Sequence, residues 1–548
     1  MWFWLATIAL GLLGTYAHRN DMNSDGISYI EMARAASRSG LHELVNAYWS
    51  PLYPWLLSIV FRAFHPSLYW EFTVVHLVNL GIFLTSFACF EVFLKELLAV
   101  RQASEEAQER FVLVSPRTIW AWGCIFFLWA SQFWLSTALV TPDLCVAGLA
   151  YLATAMLLRL RRDGGSWAAF AWLGAILGIS YWAKAAMFPS AFVFLGSSLF
   201  LLHSWRRALP KALLALTVFS FVAAPLIVAL SKSKNRVTFG DSARINAAEY
   251  INGATSFVHW QEPSGTGVPA HPTRKVISVP AMYEFSSPVK GSYPPWYDPS
   301  YWYEGIRPHF SWRGQAWAIF RAASAYLKFF SRAGTLWIVL LVLLIFRGRK
   351  MTFAPISSSW FVIVPSVAVL GIYLLVHVEF RFVSPFALML LLWFLAHLRT
   401  DMDSKGLNRF RAAMVLAPVL AIVWPMTNDL IAAIRSRPNE PWEVAQGLVE
   451  AGISPGTDVG YIGTGLDAYW AHLAGVRIVA EIPGEGQKDF VAADPARKQE
   501  IFDKFAAIGA SAVVTKNPDA VRSLDGWHEI RGTHYSVWNL RNRLANGN

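Results

Sequence analysis

The chain has little charge for its length. Only 15% of its 548 residues are Asp, Glu, Lys or Arg, against about 25% in soluble domains. Hydrophobic residues make up 55%, and the mean hydropathy is +0.38. A string of soluble domains is thereby excluded. Disorder is excluded too, because the apolar content is too high. Three cysteines are too few for a disulfide scaffold, and 36 Gly with 28 Pro too few for a collagen-like chain. Cys89, Cys124 and Cys145 lie in apolar stretches and read as small core residues with no disulfide expected. Internal repeats of about 20–50 residues are absent. Acidic residues are the minority charge, 36 against 47 basic, for a net +11. In a soluble protein that excess would raise nucleic acid as a partner. Here it reads as the Lys/Arg surplus of cytoplasmic loops, so no nucleic acid is expected.

What is present is a series of apolar runs. A spanning helix needs about 20 mostly apolar residues, fewer if it is well anchored. Runs at 2–17, 71–98, 118–137, 143–160, 167–184, 186–203, 212–230, 333–346, 358–376, 384–398 and 412–427 meet that description. They predict an α-helical polytopic membrane protein with about 11 transmembrane helices. The shorter run 51–64 opens with Ser50-Pro51 and reads as a re-entrant or interfacial helix. The first run lacks a basic flank and a small-residue cleavage site, so it reads as a span and not as a signal peptide. The 26 Trp suit two interfacial belts.

Loop charge sets the orientation. The connections after spans two, four, six, eight and ten contain KELLAVRQASEEAQER, RLRRDGG, HSWRRALPK, FRGRK and HLRTDMDSKGLNRFR. All are short and basic or mixed, which places them in the cytoplasm. The N-terminus is then cytoplasmic, and the long segments 18–70, 231–332 and 428–548 lie outside. Segment 231–332 is rich in Pro, Gly, Tyr and Trp and shows little periodicity, as in GSYPPWYDPSYWYEGIRPHF. A long loop of that kind is usually functional. From 438 onward, helix-like stretches (442–451, 495–508) alternate with short apolar strands (458–462, 476–480, 512–515, 535–540). That pattern predicts a small extracytoplasmic α/β domain. The chain therefore divides into a transmembrane domain over 1–427 and an α/β domain over 428–548.

The first outer segment reads AHRNDMNSDGISYIEMARAASRSG. Asp21 and Asp25 follow span one directly, and Tyr29, Met32, Ala33 and Ala36 lie on one face of a helix after them. Asp25-Gly26 suits a turn or a helix N-cap. An acid held near a membrane surface between spans also suits a functional site. Asp143, in ALVTPDLC, is likewise open to both readings, following Thr141-Pro142 at a span junction. Lys184, in GISYWAKAAMF, is costly there unless paired or snorkelling. Glu379 and Arg381, in HVEFRFVSP, read as a mutual pair or as interface snorkelling residues, or as residues facing a ligand.

DGISYIEMARAASRSG followed by YWSPLYPWLLSIVFRAF resembles the first extracytoplasmic loop of the GT-C membrane glycosyltransferases. More narrowly it is similar to the branch of protein O-mannosyltransferases and the lipid A aminoarabinose transferase. In that branch an acid follows the first span, a Tyr comes four residues later, and a Pro-rich turn leads into a re-entrant helix; Asp25 and Tyr29 hold those positions here. The resemblance is coherent over about 1–230 and again near 377–398. It departs from the lipid A branch in having Asp25-Gly26 where that branch often has Asp-Glu. The resemblance implies transfer of a sugar from a polyprenyl-phosphate donor to a protein, lipid or glycan acceptor on the outer face of a bacterial inner membrane. It implies Asp25 as general base and Asp143 as a second catalytic acid that orients the acceptor or binds a divalent metal. It implies Tyr29, Lys184, Glu379 and Arg381 as substrate-binding residues. The leaving group is a phosphate, so cations near it replace a strong general acid.

Other motifs are weaker. His377, beside Glu379, reads as a titrating or interfacial residue. His259, His271, Arg274 and the aromatic cluster 293–303 suit sugar stacking or a membrane interface, and the two histidines lack structural-zinc spacing. GYIGTGLDAYW carries Gly460, Gly463 and Gly465 after a strand-like run, yet matches neither dinucleotide nor P-loop spacing. Two other function classes remain open at this level. A multi-span transporter or flippase would line its path with the same charges, though no repeat between halves is found. A non-catalytic binder of lipid-linked sugar would need the same outer segments.

Overall fold

A computed structural model of the chain describes all residues except 104–111, 203, 255–258, 260–265, 286, 333–350, 354–359, 401–403, 436–438, 517–525 and 541–548. The fold is mostly helical, with a small sheet built largely from the C-terminal region. The first nine helices are α1 (Trp2–Ala17), α2 (Ser24–Ser39), α3 (Leu52–Phe64), α4 (Leu68–Ala103), α5 (Pro116–Phe133), α6 (Asp143–Arg162), α7 (Trp167–Ala183), α8 (Met187–Leu199) and α9 (Trp205–Ser233). Segment 231–332 ends in the helix Trp312–Arg332, and among the described residues the helices Trp360–Leu374, Phe380–His397 and Ser404–Ile434 follow it.

Local sequence explains the boundaries. Ser115 caps α5 by accepting from the Thr118 N–H, with Pro116 in the first turn. Ser166 caps α7 the same way through Ala169. Between α6 and α7 the chain reverses at Gly164 and Gly165, with φ of 69° and 75°, which only glycine adopts without strain. Arg159, Arg161 and Arg162 fill the last turn of α6, where cations suit the helix dipole.

The helices pack closely where side chains vanish. A Cβ on Gly174 of α7 would sit 2.1 Å from the Ala215 carbonyl oxygen of α9. Gly178, one turn on, would meet Val222 at 2.6 Å. Small residues of this kind let apolar helices approach where lipid offers no hydrophobic drive. Phe83, Phe87, Phe90, Phe127 and Tyr151 fill the bundle interior. Outward-facing Leu12, Trp172, Phe221, Leu420 and Trp424 stay exposed, forming an apolar outer surface that water would not tolerate on a monomer.

Five described helices are long and apolar enough to cross a membrane: Leu68–Gln102, Asp143–Arg162, Trp205–Ser233, Phe380–His397 and Lys405–Ile434. Other expected spans coincide with shorter apolar helices, α1, α7, α8 and Trp360–Leu374. The expected span 333–346 lies outside the described residues. The run 51–64 forms the 13-residue α3, begun at Pro51.

Described strands form two sheets. β1 (Val112–Leu113), β4 (Met351–Phe353) and β5 (Leu398–Thr400) pair antiparallel in the order β1-β5-β4. This small sheet ties together three of the basic connections at one end of the bundle. The large sheet comprises β2 (Arg274–Ile277), β3 (Met282–Glu284), β6 (Asp458–Ile462), β7 (Arg477–Ile482), β8 (Ala512–Thr515), β9 (Trp527–Glu529) and β10 (Ser536–Asn539). Its order is β2-β3-β7-β6-β8-β10-β9, with β6 parallel to both β7 and β8.

Segment 231–332 differs from the irregular loop that its composition suggests. It contains the helix Ser242–Tyr250, the hairpin β2–β3 and the 21-residue helix Trp312–Arg332. The hairpin adds to the edge of the C-terminal sheet through Tyr283 opposite Glu481 and Glu284 opposite Ala480. An apolar cluster then spans segments 18–70, 231–332 and 428–548, joining Tyr29, Trp49 and Tyr53 to Trp302, Tyr461 and Trp470.

Candidate active site

Segments 18–70, 231–332 and 428–548 meet beside α2. Asn23 occupies the cap position, yet its side chain does not cap the helix. Its Oδ1 accepts from the Val140 N–H at 2.8 Å and so fixes the chain entering α6. Asp25 sits in the first turn of α2, where the helix dipole favours a carboxylate. It is not the cap: its Oδ2 accepts from Arg381 Nη2 at 2.8 Å. Burial raises the Asp25 carboxyl above the ordinary range, against the opposing charge and hydrogen bond of Arg381.

Asp143 is the first residue of α6 and, like Asp25, leaves its helix uncapped. Its side chain is 2% exposed. Oδ1 accepts from Lys184 Nζ at 2.6 Å. Oδ2 has no hydrogen-bond partner among the described residues, though Arg381 Nε lies 3.6 Å away. Lys184 occupies the break between α7 and α8, where an extended backbone turns its side chain inward. Its ammonium also lies 3.3 Å from the centre of the Phe382 ring, a cation–π contact that helps carry a desolvated charge.

Arg381 is the hub. Its Nε donates to Glu379 Oε2 at 2.6 Å while Nη2 holds Asp25. Glu379 precedes the helix Phe380–His397 and also faces His377 Nε2 at 3.5 Å. Burial alone would raise the Glu379 carboxyl; the His377 bond and the Arg381 charge outweigh it and bring it down to about 2. His377 in turn stacks on Tyr250 at 4.2 Å. Asp25, Glu379 and Arg381, with Asn23, Ser24 and Trp134, border a cavity of about 500 Å³. Tyr29 does not line it. Tyr29 is buried and packs edge-on against Trp49 and Tyr53, with ring centres 5.2 and 5.4 Å away.

The donor set does not fit a divalent cation. Between Asp25 and Asp143 stands the Arg381 guanidinium, and Lys184 holds Asp143 Oδ1, so cations already lie against both acids. Among the described residues no three His, Cys, Asp or Glu side chains converge as metal ligands. The charges that a metal would neutralise are met by side chains of the chain itself.

The sequence did not reveal a second buried cluster. His472, from the helix Tyr469–Ala474, lies between Glu31 of α2 and Glu71 of α4 at 3.2 Å from each. Arg34 completes it through a bidentate contact to Glu71. Burial would lower the His472 imidazole, but the Glu71 charge and the bonds to both glutamates raise it to about 9. The only sequence signal was Glu31 and Arg34 at i and i+3 on α2, which reads equally as a solvated face. His259 is similarly spoken for, 2.6 Å from Glu481, and His271 meets Glu304 at 3.0 Å. In GYIGTGLDAYW the Gly465 N–H is taken by Glu481 Oε2 at 3.2 Å, so that amide is not offered to a phosphate.

No protein-family model matches the chain, and no curated protein matches it in sequence. Solved structures do match in fold. ArnT from Cupriavidus metallidurans bound to undecaprenyl phosphate superposes with a TM-score of 0.53 at 11% identity, covering 97% of each chain. The same protein in its apo state gives 0.51 at 12% identity, again over 97% of each chain. The likeness is one of fold: a mostly helical chain with several apolar helices and a C-terminal sheet, the coarse architecture that the sequence resemblance implies.

Proposed function

We propose that this chain is a membrane glycosyltransferase that moves a sugar from a polyprenyl-phosphate donor to an acceptor hydroxyl. The observation that carries the proposal is the Arg381 guanidinium joining two helix-start acids, half-buried Asp25 at the edge of a cavity and buried Asp143 paired with Lys184 behind it. The fold shared with a protein crystallised with undecaprenyl phosphate supports the donor class. The reaction site lies outside a bacterial inner membrane, with the N-terminus cytoplasmic, about 11 spans over 1–427 and the α/β domain 428–548 extracytoplasmic. The small sheet gathering three basic connections supports that sidedness.

In this reading Asp25 is the general base. Its raised carboxyl is better matched to proton abstraction near neutral pH than an ordinary aspartate. The acceptor oxygen attacks the anomeric carbon and its proton passes to Asp25. The bond from that carbon to the phosphate oxygen breaks, and the phosphate leaves with the electron pair as polyprenyl phosphate. Arg381, which borders the cavity, and Lys184, held behind it by Asp143, supply the positive charge that meets the growing phosphate charge. Glu379 holds the guanidinium plane from Nε, which leaves the Nη edge to be shared between Asp25 and phosphate. Asp143 keeps Lys184 charged and in place. Tyr29 acts as a wall: its packing on Trp49 and Tyr53 fixes the helix that carries Asp25.

The test is release of polyprenyl phosphate from a panel of short-chain polyprenyl-phosphate sugars, followed by mass spectrometry. Wild type should consume at least one donor in the presence of membrane extract as acceptor source, and Asp25→Asn should not. Equal turnover by the variant would remove Asp25 from the role of base.

A further inference from the structure

The helix Trp312–Arg332 lies across one end of the bundle. Gln315 Nε2 donates to the Leu375 carbonyl at 2.6 Å, one residue past the helix Trp360–Leu374. The Tyr326 hydroxyl donates to the Leu370 carbonyl of that same helix at 2.8 Å. The Phe329 ring lies 4.4 Å from that of Trp134, just after α5, and 5.1 Å from that of Phe380, which opens the helix Phe380–His397. Every one of these partners sits within about one turn of a helix end. From Gln315 to Phe329 the helix advances about 21 Å at 1.5 Å per residue. A helix running alongside the spans would leave their ends over that distance. This end of the bundle also carries Asp25, since Trp134 and Phe380 line its cavity.

Three sectors run along the helix. Ala318, Ala322 and Phe329 are buried against the bundle. Trp312, Phe320 and Leu327 share an apolar sector and are 80%, 61% and 73% exposed. Arg313, Arg321 and Lys328 form an exposed cationic sector next to it. Trp317 stands among these cations, its ring centre 5.9 Å from the Arg321 guanidinium. Arg321 is also tied to the Tyr250 carbonyl. Arg313 and Lys328 face no carboxylate at ion-pair distance among the described residues. The sequence from 305 to 332 contains no Asp or Glu at all.

We infer that this helix lies in the membrane interface and binds the headgroups of anionic phospholipids. An apolar sector beside a cationic one suits a helix lying at the acyl–headgroup boundary. The helix is not among those apolar enough to cross. Lipid phosphates at headgroup level meet Arg313, Arg321 and Lys328, while Trp312, Phe320 and Leu327 enter the acyl boundary. A second copy of the chain docked through the same face would set these cations against one another. The bound lipids then stand behind the cavity wall, because Phe329 backs both Trp134 and Phe380. The surface is the same whatever group the chain transfers.

The experiment titrates the full-length chain, in neutral detergent, with short-chain phosphatidylglycerol and separately with short-chain phosphatidylcholine. Amide exchange is followed over 312–332. Each cation near an anionic surface contributes about a fivefold gain in affinity. Phosphatidylglycerol should therefore slow exchange at a concentration at least about tenfold below phosphatidylcholine. The double variant Arg313→Gln/Lys328→Gln should lose that advantage, and Leu327→Gln should weaken both lipids. The pair Arg206→Gln/Arg207→Gln, exposed at the start of α9 at the other end of the bundle, should leave this segment unmoved. Exchange elsewhere in each variant, matched to wild type, reports intact folding. Equal response to the two lipids, a double variant that keeps the advantage, no effect of Leu327→Gln, or an equal loss in the Arg206/Arg207 pair would each overturn the inference. Protection that rises with protein concentration in the absence of lipid would also overturn it, assigning the face to a second copy.

Discussion

Arg381 reaches Asp25, 356 positions away in sequence, with Nη2 at 2.8 Å, and Asp143 with Nε at 3.6 Å. One guanidinium thus holds together two acids that start two different helices. Each acid gains from its helix N-terminus, and the guanidinium offsets their mutual repulsion. The relationship fixes how the N-terminal ends of α2 and α6 meet.

Arg381→Lys keeps the charge but loses the planar fork. Loss of one charge-assisted bond, about 1.5–3 kcal/mol, corresponds to a fall of about 10- to 100-fold in kcat/KM for the donor. Steady-state kinetics on a consumed donor should show it. An Arg381→Lys enzyme with unchanged kinetics would mean that only the charge matters there.

Asp25 predicts a pH profile. Burial raises its carboxyl above the ordinary value of 3.8, so activity should fall as acid protonates it at a pH above that value. Asp25→Asn should lose about 10²–10⁴-fold in rate, the usual share of a general base. Residual activity in that variant should lack the acidic limb.

Lys184 and Asp143 should behave as a pair. Asp143→Asn leaves Lys184 without its carboxylate, and Lys184→Met leaves Asp143 buried beside Arg381 alone. Each single change should cost stability, of order 3 kcal/mol for a broken buried pair. The double variant should recover part of it. Thermal unfolding in detergent measures the coupling, and strictly additive losses would contradict it.

Metal removal should leave turnover unchanged, because Arg381 stands between the two acids. Dialysis against a chelator, then assay with and without added Mg²⁺ or Mn²⁺, checks this. A rate that collapses on chelation and returns with metal would show that the guanidinium yields its place.

His472 should make docking of the C-terminal unit pH-dependent. Its folded pKa of about 9 lies above its ordinary 6.5, so its stabilisation is complete below about 6.5 and disappears as pH rises through about 9. Protease susceptibility of the region after 438 should rise over that interval. His472→Ala should lose about 3 kcal/mol and flatten the dependence, leaving Glu31 and Glu71 buried together.

Composition and hydropathy determined that the chain is apolar and helical, because a run of apolar residues carries its own reason to leave water. Strands 458–462 and 512–515 were readable to the residue for the same reason. Short motifs also brought out Asp25, Asp143, Lys184, Glu379 and Arg381, since a charge beside an apolar run is costly and therefore conspicuous. Their mutual arrangement was not readable. Asp25 and Asp143 looked as much like helix caps as like site residues; neither side chain caps its helix, and each is held by a cation from a distant element, Arg381 or Lys184. Tyr29 looked like a ligand and packs as a wall, because its neighbours Trp49 and Tyr53 come from beyond the next turn of chain. The hairpin β2–β3 carries too few residues to announce itself, and it exists as part of a sheet whose other strands lie about 170 residues or more further on. Sequence determines which groups must find partners; tertiary structure decided which partners, because pairing energies depend on distance and burial that no local pattern encodes.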